Sequence, residues 1–142
     1  MKERIYLWIN ILINITIIVI TLVFIAINFE NITYNTAERH PESTKSLNAR
    51  YQYWLEDRYG RQEGLEICWK IEDFTIWIIK HHINEMFLVA TILMILGSTW
   101  INKKFNKKMN KVLKVYFIIC ILLMLWTTFE AGPHYIDSIY DS

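Results

Sequence analysis

A chain of 142 residues has room for one modest domain, and its formal net charge of +1 hides a segregated pattern, with apolar residues in long runs and charges between them. That segregation excludes a soluble core built from evenly spread apolar positions. Four glycines exclude a Gly-rich phosphate loop. Two cysteines, Cys68 in a polar segment and Cys120 inside an apolar run, exclude a cysteine metal motif and argue against a bridge between them.

The first apolar run is Ile5 to Phe29, preceded by Lys2 and Arg4. A helix needs about 20 residues to cross the hydrocarbon core, so this run spans with some tilt. It is longer than the apolar part of a cleavable signal, and large residues occupy the positions before any cut, so it reads as an uncleaved signal anchor. The second run, Met86 to Ile101, is short for a crossing and is expected to borrow a turn or more from Trp77–Glu85. The third, Val112 to Phe129, spans unaided. These features predict an all-α integral membrane protein with three transmembrane helices and a small helical extracytoplasmic segment between the first and second.

Between the second and third runs lies a basic loop, 102–111, carrying Lys103, Lys104, Lys107, Lys108 and Lys111, with Lys114 just after it. Short basic loops stay cytoplasmic because Lys and Arg resist translocation. Lys2 and Arg4 agree, so the N-terminus is expected inside and the C-terminus outside. The predicted organisation is a first span over 1–29, an extracytoplasmic segment over 30–85, a two-helix hairpin over 86–129 and an acidic tail over 130–142. Abundant Ile, Asn and Lys read as AT-rich coding, as in a plasmid, a phage or a low-GC bacterium, and carry little functional weight; the expected location is the bacterial inner membrane. The lysine loop matches a nucleic-acid patch in composition only; beside two apolar runs it is a topogenic loop that meets anionic lipid, and no nucleic-acid partner is expected.

In the 30–85 segment His40-Pro41 breaks the chain, and the Ser/Thr-rich stretch after it can start a helix. Leu47, Tyr51, Trp54 and Leu55 fall on one helical face, Gly60 is a stop, and Leu65, Cys68, Trp69, Phe74 and Trp77 suggest a second amphipathic helix. Trp and Tyr favour the headgroup level, which puts Trp54, Trp69 and Trp77 near the outer membrane surface.

The first helix carries Asn10, Asn14, Thr21 and Asn28 on one face. Lipid cannot satisfy an Asn side chain, so this face should meet protein. Ala90, Thr91, Gly97 and Ser98 give the second helix a small-residue face that permits close approach, and the Asn face is expected to pack near it, or on a second copy of the chain. One constellation has the residue types for metal chemistry. His81, His82 and Glu85 precede the second run, and Glu130 and His134 follow the third, all at the outer boundary. Imidazoles and carboxylates converging there suit Zn²⁺, copper or iron. Helix-end hydration explains the same residues without an ion, so no cofactor is called for.

In size and topology the chain resembles small multi-pass bacterial proteins such as bacteriocin immunity proteins and accessory subunits of membrane complexes; no motif carries the resemblance. It implies a non-enzymatic protein that binds a membrane or extracytoplasmic protein partner through the Asn face and the aromatic outer segment. A metal- or haem-dependent redox protein using the His/Glu group, and an oligomeric pore or holin-like protein, are the competing classes.

Overall fold

The computed structural model describes residues 2–39 and 53–141. Among them the chain is all-helical, with no strand. In order come α1 (Lys2–Ile27), α2 (Phe29–Arg39), α3 (53–59), α4 (Arg61–Lys80), α5 (Ile83–Lys104) and α6 (Lys111–Trp126). A π-helical segment, Thr127–Ala131, and α7, Gly132–Asp141, complete it. Three helical stretches are long and apolar enough to cross a membrane: Lys2–Ile27, Ile83–Lys104 and Lys111–Asp137.

The chain forms two compact units, one from Met1–Ala26 and Asn84–Trp126, the other from Ile27–Ile83 and Thr127–Ser142. The first unit is held by one apolar contact from each long helix. Phe24, Leu88 and Met124 form its core, with Ile20, Phe87 and Ile121 against it. The Phe24 and Phe87 rings meet edge to face with centroids 6.2 Å apart, the arrangement that aromatic quadrupoles favour. Most other apolar side chains of these helices point outward; Leu12, Leu22, Leu93 and Leu122 are each about 60% exposed. An apolar surface on this scale is tolerated only against lipid or protein.

The second unit is built differently. Here α2 packs on α4, on α7 and on the π-helical segment. Its interior is largely polar: Asn28, Asn31 and Asn35 are fully buried, as are Thr75 and Thr127, and Thr128 nearly so. Ile78, Ala131 and Tyr135 supply apolar contacts, and the Tyr135 ring stands edge to face with Tyr34 at 5.4 Å.

The run boundaries shift in informative ways. The first helix does not lead into a loop; after Asn28 the chain turns directly into α2. The second run gains Ile83–Glu85, about one turn, and as much again at its other end, Asn102–Lys104. It borrows no more because α4 ends at Lys80, and His82 takes a left-handed φ of 56° that breaks the helix. The third run continues through the π-helical segment into α7, so most of the expected tail is helical. Pro133 explains the π turn: it has no N–H to donate, and its ring crowds the carbonyl four residues back, at Phe129, inside that wide turn.

Gly60 ends α3, as its position predicts, with φ +91°, a conformation that costs glycine nothing. Gly64 then lets α4 fold back against α3: a Cβ there would lie 2.7 Å from Glu56 Cα. The helix start after His40-Pro41, and Leu47 and Tyr51, lie outside the described residues.

Candidate functional site

In the first unit the Asn face of α1 meets α5, and Asn10 is paired there on both amide atoms. Asn10 Nδ2 donates to Asn102 Oδ1 at 3.1 Å, and the Ser98 hydroxyl donates to Asn10 Oδ1 at 2.6 Å. Ser98 Oγ also lies 3.3 Å from Asn14 Oδ1, but one hydroxyl proton serves the shorter contact first. One turn or two further along, the face changes neighbour. Thr21 donates to its own Ile17 carbonyl at 2.8 Å and lies 3.5 Å from Cys120 Sγ on α6. Asn28 falls in the second unit, where it is fully buried.

The small-residue face of α5 behaves unevenly. Ser98 and Thr91 are buried, Thr91 bonding its own Phe87 carbonyl at 2.8 Å, while Ala90 is half-buried. At Gly97 an added Cβ would meet only Ile13 Cδ1 at 3.9 Å, an ordinary contact, so this glycine is not what sets the helix separation. Asn102 is the member that sequence reasoning missed, because it was assigned to the loop. Its spacing of one turn from Ser98 was the available signal.

The end of the first unit that carries the lysine loop is strongly cationic. Lys104 Nζ stands 4.7 Å from the Tyr6 ring centroid and 5.0 Å from that of Trp100. Such contacts contribute about 0.5–1 kcal/mol at exposed sites. Lys107 lies 3.9 Å from Glu3, a pair exposed on both sides that stabilises little. A cavity of 680 Å³ opens between α5 and α6, rimmed by Lys103, Lys107, Lys108, Lys111 and Lys114. Its inner wall is Ile95, Thr99, Phe117 and Ile118. Thr99 gives its hydroxyl to the Ile95 carbonyl at 2.8 Å, so it presents a methyl group. Two smaller apolar cavities at α1 are rimmed by Arg4 and by Lys2 and Lys104.

In the second unit His81 closes α4. Its ring Nδ1 lies 2.9 Å from the Trp77 carbonyl, and its ring lies 4.8 Å from that of Trp77. His82 is exposed in its left-handed turn, Glu130 is exposed in the π-helical segment, and His134 is half-buried on α7. Glu85, half-buried in the first turn of α5, belongs to the first unit. Among the described residues, no group of three or more His, Cys, Asp or Glu side chains is gathered to hold a metal ion. Neither cysteine is in a disulfide; Cys68 is half-buried and Cys120 buried.

The outward face of α4 carries Trp69, Phe74 and Trp77, each about half exposed, among Lys70, Asp73 and Lys80. Phe74 and Trp77 are stacked at 6.3 Å, and Trp54 of α3, under Arg58, is also exposed. Beneath this surface are polar groups that sequence reasoning did not single out. Asn31 and Asn35 bury both amide atoms, and Thr127 and Thr128 their hydroxyls, with no hydrogen-bond partner among the described residues.

Compared with known proteins, the chain matches no protein-family model, no curated sequence and no solved structure.

Proposed function

We propose that the chain is a three-span membrane protein of the bacterial inner membrane, N-terminus inside and C-terminus outside, acting without catalysis by binding a protein partner. The outward apolar surface of α1, α5 and α6 supports the spanning part. The lysine loop and the Lys2/Arg4 pair support the orientation, because each keeps its end of a helix on the cytoplasmic side.

The observation that carries the binding part is the aromatic face of α4. On the Asn face of α1, Asn10 is already spent on Ser98 and Asn102, so it has little left to offer a partner. Trp69, Phe74 and Trp77 remain outward, and tryptophan is among the residues enriched where protein recognition surfaces concentrate their binding energy. Immunity toward a pore-forming toxin, or service as an accessory subunit, are concrete forms of this activity.

Two measurements test the reading. A reporter active only outside the cytoplasm is expected to work when fused after Ser142 and to fail at Lys107; activity at Lys107 overturns the orientation. A photo-crosslinking residue at position 69 or 77 is expected to give a protein adduct of discrete mass in the native host, lost when the remaining two aromatics become Ala. The same probe at Ile18 of α1 is expected to give lipid adducts. If positions 69 and 77 also give lipid alone, α4 is a membrane-surface helix and no docking face.

A further inference from the structure

The lysine-rimmed cavity of the first unit is better built than a topogenic loop requires. Positive-inside sorting needs only charge near the helix ends, not a shaped space. Here five lysines surround one opening, and no acidic residue lines it. Lys107 has Glu3 at 3.9 Å; among the described residues Lys103, Lys108, Lys111 and Lys114 have no carboxylate partner. Ammonium groups gathered this way repel one another, and an anion among them relieves that repulsion.

The inner wall selects the kind of anion. From Lys103 to Ile95 is eight residues, or about 12 Å of helix rise, and over that depth the wall is Ile95, the Thr99 methyl, Phe117 and Ile118. A free phosphate or a nucleotide would leave this apolar wall uncovered. A lipid acyl chain covers it, and the 680 Å³ volume lies inside the range of roughly 300–1,000 Å³ usual for sites of bound small molecules. Basic pockets between membrane helices on the cytoplasmic side are one known form of site for anionic lipid headgroups.

We infer that the groove between α5 and α6 binds an anionic phospholipid, with the phosphate among Lys103, Lys108, Lys111 and Lys114 and an acyl chain along Ile95, Thr99, Phe117 and Ile118. The inference rests on the membrane-spanning reading above. Lys103 closes the α5 side and Lys111 and Lys114 the α6 side, so the headgroup bridges the two helix ends and limits their separation. The lipid is thus a structural ligand of the hairpin, distinct from the bulk bilayer.

The full chain is placed in nanodiscs of neutral phosphatidylcholine, and protection of α5 and α6 from protease is measured first. The protein is then extracted from an equimolar mixture of phosphatidylglycerol and phosphatidylcholine, and retained lipid is read by native mass spectrometry. Phosphatidylglycerol is expected to be retained in clear preference, less so as salt rises. Lys108→Gln, Lys111→Gln and Lys114→Gln together are expected to lower that retention by on the order of 100-fold, roughly fivefold for each lysine. Thr99→Trp, which fills the groove and leaves every charge, is expected to lose the retained lipid yet still bind anionic vesicles. Ile118→Trp blocks the opposite wall and guards against a folding defect in the first block. Equal retention of both lipids by a protease-protected protein overturns the site and leaves the membrane reading standing. Undiminished retention in both blocked variants also overturns it, since the lysines are then only a diffuse field. Failure to insert into neutral nanodiscs sinks the membrane reading itself.

Discussion

The polar seam of the first unit makes a ranked prediction about three side chains that composition alone treats alike. Asn10 holds two hydrogen bonds, to Asn102 at 3.1 Å and from Ser98 at 2.6 Å. Ser98 has one short bond, and Asn14 has only the longer contact of 3.3 Å to a hydroxyl already committed. Interhelical hydrogen bonds in bilayers average about 0.6 kcal/mol and reach about 1.7. Asn10→Leu is then expected to cost about 1.2 kcal/mol and at most about 3.4, Ser98→Ala about 0.6–1.7, and Asn14→Leu less than about 0.6. A double-mutant cycle of Asn10 with Ser98 should return a coupling of about 0.6 kcal/mol or more, and one of Asn14 with Ser98 almost none. Reversible unfolding in mixed micelles, titrated with dodecyl sulfate, gives each value. The reasoning fails if Asn14→Leu costs more than Asn10→Leu, or if Asn10 and Ser98 show no coupling.

The two α-helical glycines outside α7 should respond oppositely to alanine. Gly64→Ala forces a methyl to 2.7 Å from backbone atoms of Glu56 and should destabilise by about 1–3 kcal/mol, whereas Gly97→Ala has 3.9 Å of room and should be neutral or stabilise by up to ~1 kcal/mol; thermal unfolding in detergent that ranks them the other way refutes both contacts. For the boundary histidines, elemental analysis of untagged protein after gentle extraction should show no stoichiometric metal, and His82→Ala with His134→Ala should be mild. A whole-number metal content lost in that double variant would restore the redox reading.

What was legible in the sequence follows from what the physics makes local. Long apolar runs announce helices because only a helix satisfies the backbone of a single segment within itself in hydrocarbon, and Ile5–Phe29, Met86–Ile101 and Val112–Phe129 each mark one. The periodic Asn face of α1 suggests a protein contact, and in the structure Ser98 lies against Asn10 and Asn14. The identity of the remaining neighbours was not legible. Thr21 meets Cys120 rather than α5, which depends on how three helices cross and not on any one helix's pattern. Asn102 was hidden by the lysines beside it, which made the last turn of α5 look like loop. The continuation into α2 was missed because its helix, rich in Asn and Thr, reads as polar connector until α7 and the π turn give it something to pack on. The cavity between α5 and α6 has no sequence signature beyond its lysines, since its apolar wall is indistinguishable from a lipid-facing surface.

The two units treat asparagine in opposite ways, and the contrast carries a last prediction. In the first unit the amide of Asn10 is paired by design of spacing. In the second, Asn31 and Asn35 are fully buried with both amide atoms unpaired among the described residues, on α2, which packs against the π-helical segment that holds Thr127 and Thr128. A buried polar group left without a partner costs about 1–3 kcal/mol. Four amide atoms alone would then cost about 4–12 kcal/mol, as much as the whole stability of a typical domain, so a dry interior is not tenable. The four amide atoms are two nitrogens that donate and two oxygens that accept, which a bare cation cannot serve and water can. Internal water, each molecule making about three hydrogen bonds, should therefore occupy the second unit between α2 and the π-helical segment. With asparagine side chains labelled with ¹⁵N, magnetisation transfer from long-lived water to two side-chain NH₂ groups is expected. Asn31→Leu and Asn35→Leu should each delete one of those signals and so assign them. If both NH₂ groups show no water transfer and resist exchange, the interior is dry and the energetic argument is wrong.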